Sequence, residues 1–222
     1  TSMLPEAYQQ FHDIISKEIP KENIITDPLR TTIFGTDASF YRLIPKLVVK
    51  TETETEIAFL LRQASQLNLP VTFRAAGTSL SGQAISDSIL CVAQNGWKSW
   101  EILENGAKIK LQPGVIGGKA NACLAGYGKK IGPDPASINS AMIGGIAANN
   151  ASGMCCGTSQ NSYQSLDSIR IVFADGTVLD TADESSRQAF SKTHAAMLAD
   201  IGALRDRVLD DVPSRYADRP LH

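Results

Sequence analysis

RAAGTSLSGQ, residues 74–83, follows the apolar run Val71-Thr72-Phe73. Ala75, Ala76, Gly77 and Gly82 leave its backbone uncovered, and Thr78, Ser79 and Ser81 add three hydroxyls. Peptide N–H groups bared in this way can turn toward one concavity and hold an anion. Two readings are open at this point. The loop is either a cradle for the pyrophosphate of a dinucleotide or an ordinary tight connection after a strand.

The flanking sequence decides where such a loop sits. Upstream, residues 46–50 form a short β-branched strand, and Thr51 and Thr53 stand three positions before Glu54 and Glu56, the capping-box start of a helix. Ile57, Leu60, Leu61, Ala64 and Leu67 then recur at helical spacing, and Asn68-Leu69-Pro70 ends the pattern. With residues 71–73 as the next strand, this is a βαβ unit with parallel strands and a right-handed crossover. Its loop leaves the carboxyl end of a strand, where open α/β sheets bind ligands. Before the unit, residues 1–45 combine an amphipathic helix pattern at 8–19 with a Pro- and Thr-rich stretch of turn chemistry at 26–37, read as a wrapping arm.

Downstream, residues 89–93 and 107–112 read as strands, with Trp97 and Trp100 between them as core aromatics rather than a stacking platform. Pro113-Gly114-Val115 opens a small-residue helix that runs to about Leu124 and is broken by Gly126-Tyr127-Gly128. GVIGGK at 114–119 is one position short of a nucleotide P-loop, and Ala120 stands where a Ser or Thr must ligate magnesium; no GxGxxG occurs either.

The second informative segment is GPDPASINSAMIGGIAANNASGMCCG, residues 132–157. It holds five glycines and five alanines, no aromatic residue and no charge after Asp134. It reads as too Gly-rich for a stable helix and too small-residued for a strand that packs alone. A flat rigid cofactor against bare backbone would fill the space, with Ser137, Ser140, Asn149, Asn150 and Ser152 bonding its polar edges. Close glycine-mediated packing of sheet on helix is the competing account. Residues 166–173 then alternate as a strand, 174–177 signal a hairpin, and 178–180 return. Phe190, Met197, Ile201, Leu204 and Val208 mark one long amphipathic helix in the polar tail, residues 184–219.

Composition narrows the function classes. The 222 residues are 43% hydrophobic and 20% charged, ordinary for a globular protein that can bury a core. With 21 Lys and Arg against 23 Asp and Glu, the net charge is −2, so no basic excess favours nucleic acid or an anionic membrane. No run spans a bilayer and no signal peptide opens the chain, so a cytoplasmic location is expected. Cys91, Cys123, Cys155 and Cys156 lack metal-ligand spacing and read as reduced thiols, with Cys155-Cys156 as small residues of a tightly packed loop. His12, His194 and His222 read as surface or packing residues.

Taken together, RAAGTSLSGQ and the run from Pro135 to NNASG resemble the flavoprotein superfamily of vanillyl-alcohol oxidase and p-cresol methylhydroxylase, in its D-lactate and D-2-hydroxyglutarate dehydrogenase branch. The resemblance covers about residues 46–181, and NNASGMCCGTSQNSY at 149–163 looks most like large bacterial dehydrogenases that fuse this module to a substrate domain and an iron–sulfur region. It implies an α+β fold: two α/β subdomains forming a p-cresol-methylhydroxylase-type FAD-binding domain, divided at 46–110 and 111–181, between an N-terminal arm (1–45) and a helical extension (182–222). LQPGV, residues 111–115, looks like the family's connection into the second subdomain. Arg74, Ala75, Ala76, Gly77, Thr78, Ser79, Leu80 and Ser81 would hold the FAD pyrophosphate. Pro135, Ala136, Ser137, Ile138, Asn139, Ser140, Ala141 and Met142 would line the flavin beside the anchors Gly144 and Gly145. Asn149, Asn150, Ala151, Ser152 and Gly153 would contact the cofactor further along.

Members that attach FAD covalently place a histidine in the first loop, where this chain has Thr78 and Ser79, or a cysteine before the glycine pair, where it has Ile138 and Asn139. Non-covalent FAD is therefore expected. The implied activity is oxidation of a D-2-hydroxy acid to the 2-oxo acid, with electrons passed to a further acceptor. The catalytic and metal-binding residues, and any iron–sulfur cluster, are expected beyond residue 222, as in an N-terminal fragment of a larger oxidoreductase. Two rivals stay open: an α/β module binding a smaller phosphorylated ligand without flavin, and a structural or partner-binding domain with the last helix as its docking surface.

Overall fold

The computed structural model describes residues 4–93 and 95–216, with side chains described through residue 209; His222 lies outside them. From the N-terminus come helix α1 (Glu6–Ile15), strand β1 (Ile24–Ile25) and helix α2 (Pro28–Ile33). Strand β2 (Leu47–Lys50), helix α3 (Glu54–Gln66), and strands β3 (Val71–Arg74) and β4 (Ile89–Val92) follow.

These strands form one sheet in the order β1-β2-β4-β3, with β2 and β3 each parallel to β4 and β1 antiparallel on the edge. The expected βαβ unit is present and its strands run parallel. They are not neighbours, because β4 lies between them. The reason is chemical: all four residues of β4 are buried, whereas β3 carries Arg74 and a 45% exposed Phe73 and suits an edge.

Pleat alternation gives the sheet two apolar faces. Leu47, Val49, Ile89 and Cys91 face Phe11 and Ile15 of α1 and Ile57, Leu60, Leu61 and Ala64 of α3. Val48, Leu90, Val92 and Ile25 face the other way, toward Phe34. Helix α3 starts with a complete capping box: Glu56 N–H donates to Thr53 Oγ1 (3.2 Å), and Glu56 Oε2 accepts from Thr53 N–H (3.4 Å) and Glu52 N–H (2.7 Å). It ends where Asn68 turns left-handed, φ 53°.

Strands β5 (Trp100–Leu103) and β6 (Lys108–Leu111) make an antiparallel hairpin, followed by helix α4 (Gly117–Leu124) and a tight 3-10 turn that closes at Gly128, φ 65°. The first hairpin strand corrects the sequence reading, which had placed Trp100 in a connection and in the core. Trp97 does pack on the first face of the sheet and donates its indole N–H to the Thr51 carbonyl at 2.8 Å. Trp100 instead opens β5, is 44% exposed, and has the Lys119 ammonium 5.9 Å from its ring centroid. Only four residues long and mostly exposed, β5 is specified by pairing with β6 rather than by its own pattern.

Helices α5 (Ile143–Ala148) and α6 (Ser162–Ser165), the hairpin β7 (Arg170–Val172) and β8 (Val178–Asp180), and helices α7 (Glu184–Thr193) and α8 (Ala195–Tyr216) complete the chain. Helix α5 corrects the expectation that its glycines forbid one. Its first N–H groups find acceptors elsewhere in the chain, Ile143 on the Val115 carbonyl (2.8 Å) and Gly144 on that of Pro113 (2.9 Å). The expected single long tail helix is two, separated at His194 (φ −119°, ψ 29°), whose ring stacks on Phe190.

The chain divides into two compact units, residues 1–167 with 172–178 and residues 168–171 with 179–222. The second is built on α7 and α8, with Asp183 capping α7 by accepting from Ser185 and Ser186 N–H and Phe190 buried. Among the described residues, no helix is long and apolar enough to cross a membrane.

Candidate functional site

Residues 75–83 leave the edge strand β3 at its carboxyl end. Ser79 shapes them. Its hydroxyl oxygen accepts from Ser81 and Gln83 N–H (both 3.2 Å), and the hydroxyl donates to Gln83 Oε1 (3.1 Å). Gly77 takes a left-handed φ of +72° that a side chain rarely adopts, and a Cβ there would come within 2.6 Å of the Arg74 guanidinium. Among the described residues, no protein acceptor pairs with the backbone N–H of Ala76, Gly77, Thr78, Ser79 or Leu80. Five successive unpaired donors on partly exposed backbone can satisfy an anion with several oxygens.

Arg74 adds charge under this loop. Its Nη1 donates to the Thr36 carbonyl at 2.7 Å, and its guanidinium carbon lies 6.0 Å from the Phe34 ring centroid. Burial draws the Arg74 pKa down and the nearby Asp37 charge opposes that; the group stays cationic. Partial burial pushes the Asp37 carboxyl up, but hydrogen bonds from Ser39 and Ala84 and the Arg74 charge outweigh it and hold the carboxyl below the usual range.

The second segment meets the first. Gln83 Nε2 donates to Asn149 Oδ1 at 3.4 Å, so the loop and the end of α5 sit side by side. Residues 113–118 pair with 138–144 through a bridge at Ile116 and Met142 and through Gly118 N–H on the Ile138 carbonyl (2.7 Å) and Gly117 N–H on that of Ala141 (3.0 Å).

The glycines here divide between the two accounts given for them. A Cβ on Gly144 would sit 2.7 Å from Pro113 Cβ, and one on Gly153 would sit 1.9 Å from Asp134 Oδ1, so both serve close packing within the chain. Gly145 is different: it is exposed, and a Cβ built there meets nothing within 4 Å. Its backbone is bare toward open space.

The polar candidates divide in the same way. Ser140 donates its hydroxyl to the Ser137 carbonyl (3.1 Å) and closes its own turn, while Asn150, at φ 43°, accepts from Tyr163 N–H (3.0 Å). Ala136, Asn139, Ser140, Asn149 and Ser152 are exposed; Pro135, Ser137, Ile138, Met142, Asn150, Ala151 and Gly153 are half-buried; Ala141 is buried. Ile138 lies on Gly117, and the Asn139 amide oxygen lies on Gly118.

The cysteines differ among themselves. Cys156 is buried and its sulfur accepts from Gly153 N–H at 3.0 Å, as a tightly packed loop requires, while Cys155 is exposed. The Cys156 side chain's hydrogen bond is the first cause holding the Asp134 carboxyl below its usual range. Burial pushes the Cys91 thiol up to about 12, which removes it from thiolate chemistry. Among the described residues, no group of three or more His, Cys, Asp or Glu is placed to hold a metal ion.

The sequence reading missed residues 34–41 as part of this site. Ala38 N–H donates to the Gly77 carbonyl (3.0 Å) and Ala84 N–H to Asp37 Oδ2 (3.3 Å). The available signal was Asp37-Ala38-Ser39, an Asx-type turn inside a stretch read only as an arm.

The family described as FAD binding domain matches residues 45–182. The chain is 32% identical over 143 residues to the glycolate oxidase subunit GlcD of Escherichia coli K12, covering 64% of this chain and 29% of that protein. It is 29% identical over 151 residues to D-2-hydroxyglutarate dehydrogenase of the same strain, covering 66% and 15%. Among solved structures, alkyldihydroxyacetonephosphate synthase aligns with a TM-score of 0.67 at 18% identity, over 80% of this chain and 39% of that one, and so shares the fold. The chain spans less than a third of the curated relatives it matches.

Proposed function

The chain belongs to the FAD binding domain family, and from that premise we propose that it is the cofactor-holding part of a dehydrogenase that oxidises a 2-hydroxy acid to the 2-oxo acid. The observation that carries the reading is the run of five unpaired N–H groups at residues 76–80, at a strand's carboxyl end and bonded through Gln83 to Asn149. In this proposal those groups and the Arg74 charge stabilise the pyrophosphate without a lysine. Gly145 lets a flat ring come against bare backbone, and residues 135–142 line the same surface. When bound, FAD supplies the redox chemistry, accepting a hydride from the substrate's α-carbon.

The substrate class rests on the two curated relatives, whose names share only a 2-hydroxy acid. The D configuration belongs to the same proposal and is supported by the name of the D-2-hydroxyglutarate dehydrogenase relative; the electron acceptor and an iron–sulfur cluster rest on the resemblance alone. So does non-covalent attachment, since Thr78, Ser79, Ile138 and Asn139 stand where covalent members carry His or Cys.

The test is flavin content of the natural protein. Wild type should show a flavin spectrum, with FAD leaving in the acid supernatant. Gly77→Val, which forces a β-branched side chain onto a left-handed backbone, should lose the flavin. A purified Gly77→Val protein carrying stoichiometric FAD would sink the assignment of the loop, and flavin left in the acid pellet would sink non-covalent binding.

A further inference from the structure

Residues 34–41, between α2 and β2, grip the loop at its start, middle and end. At the start, Arg74 Nη1 donates to the carbonyls of Thr36 (2.7 Å) and Phe34 (3.4 Å). In the middle, Ala38 N–H donates to the Gly77 carbonyl (3.0 Å). At the end, the Asp37 carboxylate joins two chains of bonds: Oδ2 accepts from Ala84 N–H (3.3 Å), while Oδ1 accepts from Ser39 N–H (2.8 Å). The Tyr41 ring lies against Gly82, where a Cβ would come within 3.0 Å of Cδ2.

None of these contacts uses an N–H group of residues 76–80. They fix the loop through its carbonyl, its flanks and a glycine, and leave those five N–H groups without a protein acceptor among the described residues. A short segment without such anchors would gain conformational freedom, and ordering it around a ligand would cost more.

Resting on the FAD reading above, we propose that residues 34–41 are a clasp that sets the shape of the dinucleotide loop, with Asp37 as its positioning residue. Asp37 acts through the N–H groups of Ala84 and Ser39 that it accepts from. Its carboxylate makes charge-assisted bonds at both ends of the turn, so its loss should be felt in cofactor affinity while the sheet stays folded.

The experiment compares Asp37→Ala and Asp37→Asn with wild type in the full natural protein, reading three quantities. The first is amide hydrogen exchange of residues 76–84 in flavin-free protein. The second is the FAD dissociation constant, and the third is the thermal midpoint of the flavin-free form. Asp37→Ala should speed exchange in this loop and weaken FAD roughly tenfold to a hundredfold, with little change in midpoint. Asp37→Asn, which keeps one acceptor oxygen, should recover much of both.

Unchanged exchange in Asp37→Ala would overturn the clasp whatever FAD does. A midpoint that falls in step with affinity, with no rescue by Asn, would reduce Asp37 to a stability residue and also overturn it. Faster exchange with unchanged FAD affinity would instead fault the assignment of the loop to the cofactor, and with it the positioning role.

Discussion

A methyl group on Gly153 would lie 1.9 Å from Asp134 Oδ1 and 2.1 Å from the Asp134 carbonyl oxygen, and the second of these cannot rotate away. Gly153→Ala should therefore cost about 1–3 kcal/mol or more, read as a lowered denaturation midpoint. Gly145→Ala makes the opposite case. It meets nothing within 4 Å and replaces a helical glycine, so it should leave stability unchanged or raise it by up to about 1 kcal/mol. If the cofactor lies where proposed, that same methyl should weaken FAD binding. Stability that falls in Gly145→Ala, or FAD affinity that does not, would contradict the pairing. Asp134, beside Gly153, adds a pH dependence with a definite sign. Its folded pKa is lowered, so its contribution is complete above the ordinary carboxylate range and is lost only as pH falls through the folded value.

Among the elements, α3 carries the most of its own specification: capping box, apolar stripe and left-handed stop are all local. Thr53→Ala removes the hydroxyl that accepts from Glu56 N–H and should cost about 1 kcal/mol, measured in urea, with the fold retained. An unchanged midpoint would mean that the Thr53 hydroxyl adds nothing to a helix start already held by the Glu56 carboxylate and by packing. The same locality explains what the sequence discloses and what it hides. Residues 46–50, 54–67 and 71–73 are readable because period, cap and breaker sit within a few positions of each other. Strand β1 has two residues, paired antiparallel with Val48 and Val49, and nothing local marks it. Helix α5 overcomes its glycines with acceptors from Pro113 and Val115, about thirty positions away in sequence. The loop at 74–83 announces its chemistry through small residues and hydroxyls. Its partner Asp37 does not, because an Asp in a turn-rich stretch has many ordinary uses.

At the scale of the molecule, the feature with the widest reach is the place of β4. It comes after β2 and β3 in the chain, yet it pairs with both through Leu47↔Ile89 and Val71↔Ile89. On a ribosome, β2 and β3 therefore emerge with no mutual hydrogen bonds to make, and each presents an unsatisfied edge until the later strand arrives. The contacts that close the sheet are the long-range ones, so assembly should be abrupt and late rather than progressive. Nascent chains arrested with Val92 still inside the exit tunnel and residues 46–74 outside it should stay protease-sensitive throughout 46–74, and protection should rise in one step once Val92 has cleared the tunnel. Protection of residues 46–74 that appears earlier would show that the first two strands find order without the third. During that waiting interval the exposed edges of β2 and β3 are open to pairing with other chains, so this segment is where a holdase chaperone would be needed most.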